Sequence, residues 1–439
     1  MKISLSNFRC FSKVENITIK PLTILVGENS VGKTSFLAAT RFIYDLIQNR
    51  SASFNRSPYF LGAFEQLGYL RAERRRAKSF SFDASFKSRQ SRYYSREPVS
   101  PRDIETNFHI SFNSKSSQPV IENIVFDFEK TKAEFSYSKE PFLEITRPDI
   151  QPIKLDNIIE RSKFDNQDYN LEGLWFLLSY YRLNERVDED LRKTLDYIGG
   201  AIRGLGSNLP HETFAFAPVR TKPERTYNPI EATAAPGGDH IPMLLAQIQK
   251  FDPQKWEPLQ EKLNGFGKAA GLFSFLEVKR LSNSESGPFQ IFVDVGGRRI
   301  NLIDVGYGVS QCLPLVVDLI RAENKSLFLL QQPEVHLHPV AQAELASLVC
   351  QIIEEKKHTV LVETHSDYFL DRIRMDIRDK KNLSHKDVII LYFERDGADV
   401  HIHEIEIDEA GNLINTPGTY RQFFLKEMLR SLDGGLHNN

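Results

Sequence analysis

The stretch that decides the fold is the octapeptide Gly27-Glu28-Asn29-Ser30-Val31-Gly32-Lys33-Thr34. It follows an apolar run at residues 22–26 and precedes a segment of helical periodicity that begins near Lys33. Two glycines at this spacing let main-chain N–H groups approach a phosphate, and the lysine reaches the outer phosphates. The start of the following helix adds a positive dipole end. The octapeptide, with Ser35 after it, therefore predicts a nucleoside triphosphate site in which the Thr34 hydroxyl binds Mg²⁺.

The composition is that of an ordinary globular protein. Hydrophobic residues are 41% and charged residues 26% of the 439 positions, which allows a sizeable core and more than one domain. A net charge of −2 argues against a surface coated with basic residues, although a local basic patch stays open. The three cysteines, Cys10, Cys312 and Cys350, lie far apart and fit reduced thiols better than a disulfide or zinc frame. With no apolar run near ~18 residues and no signal-peptide block, we expect a cytoplasmic protein without a membrane partner.

Periodicity divides the chain into three parts. Residues 1–145 predict a helix at 33–48 among strands at 2–8, 17–19, 22–26, 80–86, 108–112, 120–128, 133–137 and 142–145. Residues 146–270 predict a mixed, mainly helical insertion, with helices at 187–202, 241–250 and 256–270, a strand at 214–218 and a loop at 229–238. Residues 271–439 predict strands at 275–280, 289–295, 299–303, 327–330, 359–363 and 388–394, and helices at 310–322, 341–355 and 366–379. Because strands alternate with helices in the last part, we expect an α/β head with a parallel sheet, split between the two ends of the chain.

Three further segments carry candidate site residues. They are Asp304-Val305-Gly306-Tyr307-Gly308-Val309-Ser310-Gln311-Cys312-Leu313-Pro314, Gln331-Gln332-Pro333-Glu334-Val335-His336-Leu337-His338-Pro339 and Val362-Glu363-Thr364-His365-Ser366. With the strand Ile3-Ser4-Leu5-Ser6-Asn7-Phe8-Arg9, they resemble the RecF/SMC/OLD-like branch of the ABC-type ATPases. Residues 304–314 are similar to the degenerate signature motif of this branch. Residues 331–339 are similar to its acidic segment after the Walker B strand, and residues 362–366 to its switch-histidine segment. The resemblance implies an ABC-type P-loop NTPase head with an antiparallel β subdomain.

The same resemblance implies a mechanism. In such heads ATP and Mg²⁺ are held between two protomers, so that this chain would form a homo-oligomer, at least a dimer. A helix starting at Ser310 would direct its N-terminal amides and the Ser310 hydroxyl at the γ-phosphate across that interface. His365, after an apolar strand, would touch the γ-phosphate of its own subunit, whereas a lone His at such a place is more often a cap or surface residue. For the alternating pair His336 and His338 we prefer a structural role over a metal site, because no Cys or third His lies at ligand spacing.

One departure from the family pattern bears on the chemistry. Gln331 and Gln332 stand where the metal-holding acid and the catalytic glutamate usually lie, and an amide neither accepts a proton from water nor offsets the charge of Mg²⁺. Either Glu334 takes over, or Glu363 does, or hydrolysis is slow. We therefore expect a slow ATPase, with Gln332, Glu334, Glu363 and His365 as catalytic candidates and Gln331 beside Thr34 at the metal.

Other residues have weaker assignments. Gln66 lies where a Q-loop glutamine would coordinate Mg²⁺ or water, and a solvated loop amide is the alternative. A cluster of basic and aromatic residues suits a nucleic-acid backbone or an acidic protein, with a solvated charged face as the default. Its members are Arg71, Arg74, Arg75, Arg76, Lys78, Lys87, Arg89, Arg92, Tyr93, Tyr94 and Arg96. Arg220 and Arg225 resemble a segment that recurs in the middle region of this branch, without an assigned role.

The subgroup that the chain resembles is the bacterial ATPases of anti-phage defence, such as the ATPase subunit of PARIS or Septu. The tail at 405–412 and 420–424 is similar to tails of that subgroup. Little chain follows the switch segment, so we expect the effector, a nuclease or toxin, to be a separate protein. An ATP-dependent oligomeric sensor or scaffold that holds and releases this effector is the function favoured. Two alternatives remain: a RecF-like DNA-repair ATPase that binds DNA, and a sequestering module with bound nucleotide and negligible turnover.

Overall fold

The computed structural model describes residues 1–70, 75–89, 102–137, 142–156, 169–171, 174, 178, 188–228, 235–282 and 287–420. Its strands are β1 (Lys2–Phe8), β2 (Phe11–Thr18), β3 (Leu22–Gly27), β4 (Ser51–Ala52), β5 (Ser79–Arg89), β6 (Asp103–Lys115), β7 (Gln118–Phe128), β8 (Thr131–Ser136), β9 (Phe142–Arg147), β10 (Ile150–Asp156), β11 (Tyr169–Asn170), β12 (Thr213–Phe216), β13 (Phe275–Arg280), β14 (Phe289–Val295), β15 (Arg298–Asn301), β16 (Leu327–Gln331), β17 (Thr359–Glu363), β18 (Val388–Asp396), β19 (Asp399–Ile407) and β20 (Leu413–Ile414). Its helices are α1 (Lys33–Asn49), α2 (Phe64–Leu67), α3 (Glu189–Arg203), α4 (Ile241–Phe251), α5 (Pro253–Ala269), α6 (Tyr307–Arg321), α7 (Pro339–Lys356) and α8 (Asp367–Arg378).

Some residues singled out by the sequence lie outside the described ranges. From the basic and aromatic cluster these are Arg71, Arg74, Arg92, Tyr93, Tyr94 and Arg96. The same holds for 229–234 of the predicted loop and for 421–424 of the tail. The chain divides into two compact units. The first comprises residues 1–19, 28–211 and 393–402, and the second comprises 20–27, 212–392 and the residues from 403 onward.

The first unit is built on an eight-stranded antiparallel sheet with the strand order β10-β9-β8-β7-β6-β5-β1-β2. Alternation along β5 buries one face of the strand, because successive side chains point to opposite sides of a sheet. Helix α1 packs on that buried face through Phe42, whose ring centroid lies 5.7 Å from those of Phe82 and Phe112. The helix is buried on nearly all sides from Phe36 to Ile47. Such all-round burial marks a central helix and explains why its sequence carries little polar surface.

The second unit centres on a seven-stranded sheet with the order β12-β16-β17-β3-β18-β19-β20. Strands β12, β16, β17 and β3 pair in parallel, whereas β19 and β20 pair antiparallel, so the sheet is mixed. Every residue of β3 and β16 is buried, as expected for parallel strands covered on both faces. A small antiparallel sheet, β13-β14-β15, shares its apolar core with helices α4 to α8. The architecture is therefore α/β with an antiparallel and a mixed sheet.

Three features differ from the sequence expectations. Strand β12 lies within the segment predicted as an insertion, yet it pairs with β16 at the edge of the central sheet. Helix α2 and the strands β4, β10, β11, β19 and β20 were not expected, β2 begins earlier than the predicted 17–19, and β5, β6, β7 and β9 extend beyond the predicted runs. Helix α6 begins at Tyr307 and not at Ser310, so that prediction was wrong by almost one turn.

Candidate nucleotide site

The phosphate loop joins β3 to α1. Helix α1 starts at Lys33, its first turn contains no acidic residue, and no side chain caps it. The start of an α-helix is a favourable place for an anion, because its first N–H groups find no acceptor within the helix and its dipole end is positive. Lys33 is only 3% exposed, and its Nζ donates a hydrogen bond to the Glu28 carbonyl at 2.7 Å. The loop therefore curls around the ammonium group, while Glu28, Asn29 and Ser30 are exposed.

The backbone of this loop needs glycine at one position above all. Gly32 has φ of +92°, a conformation that L-residues rarely adopt, and a Cβ there would lie 3.0 Å from Phe11 Cζ and closer still to Cys10 Sγ. Ser30 also has a positive φ of 62°. Its carbonyl accepts a hydrogen bond from Arg395 Nη2, in the hairpin between β18 and β19. Arg395 is a contact to the loop that the sequence patterns did not indicate.

The carboxyl ends of three neighbouring parallel strands meet at one edge of the central sheet. Gln331, the last residue of β16, is in register with Glu363, the last residue of β17, and Glu363 with Leu25 in β3. Gly27 ends β3 two residues later, so that the phosphate loop continues directly from this edge. Ligands of open α/β sheets bind at this edge, outside the carboxyl ends of the strands.

Glu334 occupies a tight turn after β16. The turn closes through hydrogen bonds from Val335 N to Gln332 O at 3.2 Å and from Leu337 N to Glu334 O at 3.0 Å. Glu334 is 8% exposed, and its Oε1 accepts the His365 main-chain N–H at 2.8 Å. Burial raises the pKa of the Glu334 carboxyl, and the His365 N–H opposes this shift because it favours the anion. A buried carboxylate with a raised pKa is the kind of group that serves as a general base.

The two glutamines and Glu363 are held by the same edge. Gln331 and Glu363 are buried at 6% and 7% exposure, and the Gln332 N–H donates to the Glu363 carbonyl at 2.8 Å. Gln332 has a positive φ of 43°, which turns the chain sharply toward Glu334. The structure thus brings Gln331, Gln332, Glu334 and Glu363 together at one edge, next to the main chain of His365. The His365 side chain is exposed.

Ser310 is placed differently from the expectation. It is buried, and its Oγ donates to the Tyr307 carbonyl at 3.1 Å, within the first turn of α6. The N–H groups free of intrahelical partners therefore belong to the residues that start at Tyr307. Gly308 is needed here because a Cβ would lie 2.8 Å from the His336 carbonyl oxygen. The first turn of α6 thus packs on the main chain of the segment that carries Glu334.

Gln66 lies in α2 of the first unit. Its Oε1 accepts the Ala63 N–H and closes a cap at the start of this short helix, while the residue as a whole is exposed. The cap uses one of the two lone pairs of Oε1, and the assignment of Gln66 to a metal stays a prediction.

The sequence patterns gave no role to a pair that the structure ties together. Gln311 in α6 binds both main-chain groups of Arg220, with Arg220 N to Gln311 Oε1 at 2.8 Å and Gln311 Nε2 to Arg220 O at 3.1 Å. Both residues stood in quoted segments, but only the fold shows that they meet. Gln342 in α7 makes a similar link, since its Nε2 donates to the Leu337 carbonyl at 2.7 Å and its Oε1 accepts from Ser366 Oγ. It connects the Glu334 turn to the start of α8.

His336 and His338 are both exposed, and the His336 ring lies 5.6 Å from that of Tyr307. In the part of the chain that the structure describes, no three His, Cys, Asp or Glu side chains group closely enough to hold a metal ion. None of the described helices combines the length and apolar character that crossing a bilayer requires.

Comparison with solved structures returns SMC head domains at low similarity. A SmcHead bound to the C-winged helix domain of ScpA aligns over 93% of this chain and 98% of its own, with 13% identity and a TM-score of 0.41. The SMC head domain from Thermotoga maritima aligns over 92% and 98%, with 14% identity and a TM-score of 0.39. A Smc head with an extended coiled coil, bound to the C-terminal domain of ScpA derived from Pyrococcus furiosus, aligns over 98% of both chains, with 10% identity and a TM-score of 0.39.

Sequence comparison is more decisive. The chain matches no curated protein sequence. The family model described as "AAA ATPase domain" matches residues 1–370, which include the phosphate loop, Glu334 and His365. The chain belongs to the AAA ATPase domain family.

Proposed function

We propose that this chain binds ATP with Mg²⁺ at residues 27–35 and hydrolyses it slowly, acting as a long-lived ATP clamp. The observation that carries the proposal is the Lys33 ammonium, buried and turned onto the Glu28 carbonyl at the uncapped start of α1. The donor set fits the nucleotide, because one cation and a row of main-chain N–H groups match a triphosphate. It also fits Mg²⁺, which keeps several waters and needs few protein oxygens. The Thr34 hydroxyl would hold the ion, and the part of Gln331 in metal binding stays a prediction.

Slow hydrolysis follows from the residues at the sheet edge. Gln331 and Gln332 are neutral, so neither accepts a proton from the attacking water. We assign the general-base role to Glu334, whose buried carboxylate is held by the His365 N–H. Mg²⁺ supplies charge neutralisation on the phosphates when it is bound, and the protein contributes the oriented carboxylate and the phosphate-binding loop.

Nucleotide binding and turnover test this proposal with two variants. Lys33→Ala should abolish binding of a fluorescent ATP analogue. Arg50→Ala is the control: Arg50 caps the far end of α1, and its replacement should leave binding unchanged. Unimpaired binding by Lys33→Ala would disprove the site. Steady-state turnover of the wild type above about 10 s⁻¹, a typical enzyme value, would disprove slow hydrolysis.

For the biological role we propose an oligomeric, cytoplasmic scaffold of anti-phage defence that holds a separate effector while ATP is bound. The support is the resemblance of the tail at 405–412 and 420–424 to tails of defence ATPases, together with a site suited to retention of ATP more than to rapid turnover. In a pull-down from the native host with ATP present, the Glu334→Gln variant should recover a small protein encoded by a neighbouring gene. The Lys33→Ala variant, which cannot bind ATP, should not recover it. Equal recovery by both variants would remove the link to nucleotide.

DNA binding is the second candidate function, favoured by one observation. Five basic residues of the predicted cluster lie in described ranges and are exposed: Arg75, Arg76, Lys78, Lys87 and Arg89. Binding to phosphates would release counterions, so affinity for duplex DNA should fall steeply between 50 and 200 mM salt. Replacement of Lys87 and Arg89 by Ser should weaken it, and a chain without salt-dependent DNA binding would exclude a RecF-like role.

A further inference from the structure

One oxygen of the Glu334 carboxylate is held by the main chain. Its Oε1 accepts the His365 N–H at 2.8 Å, and the residue is buried, whereas the His365 side chain is exposed. Oε2 of Glu334 is buried and has no hydrogen-bond partner among the described residues. The direction of the carboxylate therefore depends on how firmly the main chain at His365 is fixed relative to the turn that carries Glu334.

The Gln342 side chain joins these two segments. Gln342 lies in the first turn of α7, and its Nε2 donates to the Leu337 carbonyl at 2.7 Å while its Oε1 accepts from Ser366 Oγ. Leu337 belongs to the Glu334 turn, since its own N–H donates to the Glu334 carbonyl at 3.0 Å. Ser366 directly follows His365 in the chain. Gln342 thus contacts both segments that determine where the carboxylate lies.

The bonds form a closed ring. From the Glu334 carbonyl the ring passes through Leu337 to Gln342. From Gln342 it continues to Ser366. The neighbouring His365 N–H then returns it to the Glu334 carboxylate. Every member belongs to the second unit. An amide suits the bridging position because it offers a donor and an acceptor at the end of one side chain, and a connected network restrains its members more than separate bonds do.

Helices α7 and α8 are also joined at a place outside the ring. The Oγ of Ser347 in α7 donates to Asp376 Oδ2 at 2.7 Å and accepts from Arg372 Nη1 at 3.2 Å, both in α8. None of these three residues is a member of the ring. Gln342 differs from Ser347 in its partners, because its bonds end on the two segments that hold the carboxylate.

We propose that Gln342 is a positioning residue for the Glu334 carboxylate and that it acts through the hydrogen-bonded ring. The inference rests on the proposed ATP hydrolysis and deepens it. Without the bridge, the Glu334 turn and the start of α8 are free to shift apart, which weakens the His365 N–H bond to Oε1. Misplacement of a catalytic group by about 1 Å can lower the rate about 10²-fold. Because an N–H donor favours the anion, a weaker bond also raises the pKa of the Glu334 carboxyl.

The kinetic test compares Gln342→Met with Ser347→Ala. Each change removes two side-chain hydrogen bonds of α7, and the first breaks the ring. Gln342→Met should lower kcat about tenfold or more and change KM for ATP less than about twofold. The acid limb of its kcat/KM profile should move up by about 0.5 pH unit or more, since the base must be deprotonated. Ser347→Ala should keep kcat within about twofold of wild type even where its melting temperature falls. Equal losses of kcat in the two variants would overturn the inference.

Amide hydrogen exchange without nucleotide gives a readout that does not depend on catalysis. In Gln342→Met, the segment 363–367 should exchange at least about fivefold faster than in wild type, because its tether to the Glu334 turn is lost. In Ser347→Ala the same segment should exchange at the wild-type rate. Unchanged exchange at 363–367 in Gln342→Met, or a kcat of this variant within about twofold of wild type, would overturn the inference.

A double variant shows whether Gln342 acts through Glu334. If it does, Glu334→Gln combined with Gln342→Met should hydrolyse labelled ATP in single turnover as slowly as Glu334→Gln alone. Multiplying effects of the two changes would contradict it. Hydrolysis that depends on Lys33 and Glu334 but not on Gln342 would overturn this inference alone. Hydrolysis that Lys33→Ala does not reduce would overturn the proposed function as well.

Discussion

Gly32 gives the sharpest test of the phosphate-loop geometry. Replacement by alanine imposes two costs that the structure separates. The first is conformational, since φ of +92° is unfavourable for an L-residue by about 1 to 3 kcal/mol. The second is steric, because the new Cβ would lie 3.0 Å from Phe11 Cζ and nearer to Cys10 Sγ, an overpacking that typically costs about 1 to 3 kcal/mol. Gly32→Ala should therefore destabilise the fold by about 2 to 6 kcal/mol.

The assay is urea unfolding followed by circular dichroism, with a control in the same chain. Gly306 has an ordinary φ of −59° and no atom within 4 Å of an added Cβ, so Gly306→Ala should change the free energy of unfolding by less than about 1 kcal/mol. Cys10→Ala in the Gly32→Ala background should recover the part of the steric cost that the Cys10 sulfur causes and leave the Phe11 contact and the conformational part. Equal unfolding free energies for Gly32→Ala and Gly306→Ala would refute the reasoning, and no recovery on removal of the Cys10 sulfur would refute the steric contribution.

Further predictions concern the sheet edge and the core. Glu334→Gln should lower kcat by about 10² to 10⁴ while ATP affinity is retained, and Gln332→Glu should raise kcat, as measured by phosphate release. Burial lowers the pKa of His358 to about 4 from 6.5, and its Nδ1 accepts the Ser326 N–H at 3.0 Å, so the native state disfavours the protonated ring. Its contribution to stability is present above pH 6.5 and lost as the pH falls toward 4, and urea unfolding of His358→Gln should show a weaker acid dependence. Ser366→Ala removes the cap at the start of α8 and should destabilise by about 1 kcal/mol in thermal unfolding.

Local chemistry explains how much of the fold could be predicted. The bounds of β3 and α1 were found to within a residue, because an apolar run, a glycine turn and a helical period lie next to one another in sequence. The strands at 275–280 and 289–295 were confirmed for the same reason. Strand β19 was not predicted, because its buried residues Val400, Ile405 and Ile407 do not recur with the period of two that marks a half-buried strand.

Long-range contacts account for what could not be predicted. The predicted start of α6 was too late. The first turn of this helix packs on the His336 carbonyl, which leaves no room for a side chain at position 308, and this contact comes from a segment distant in sequence. The pairing of β12 with β16 is likewise a tertiary contact that no local pattern contains. For Arg220, the sequence shows a basic residue in a loop, and a basic loop residue is normally exposed. Only the fold reveals that its guanidinium is buried beside Gln311.

The proposed combination of ATP binding and slow hydrolysis is physically consistent because the two activities would depend on different groups. Binding uses Lys33 and the main chain of the loop, and the loop motif that supplies these groups is complete. Hydrolysis uses carboxylates, and at Gln331 and Gln332 these are replaced by amides that cannot take up a proton. Glu334, which the His365 N–H holds, and Glu363 are the carboxylates that remain at this edge, so loss of the Glu334 carboxylate should slow hydrolysis and spare ATP binding.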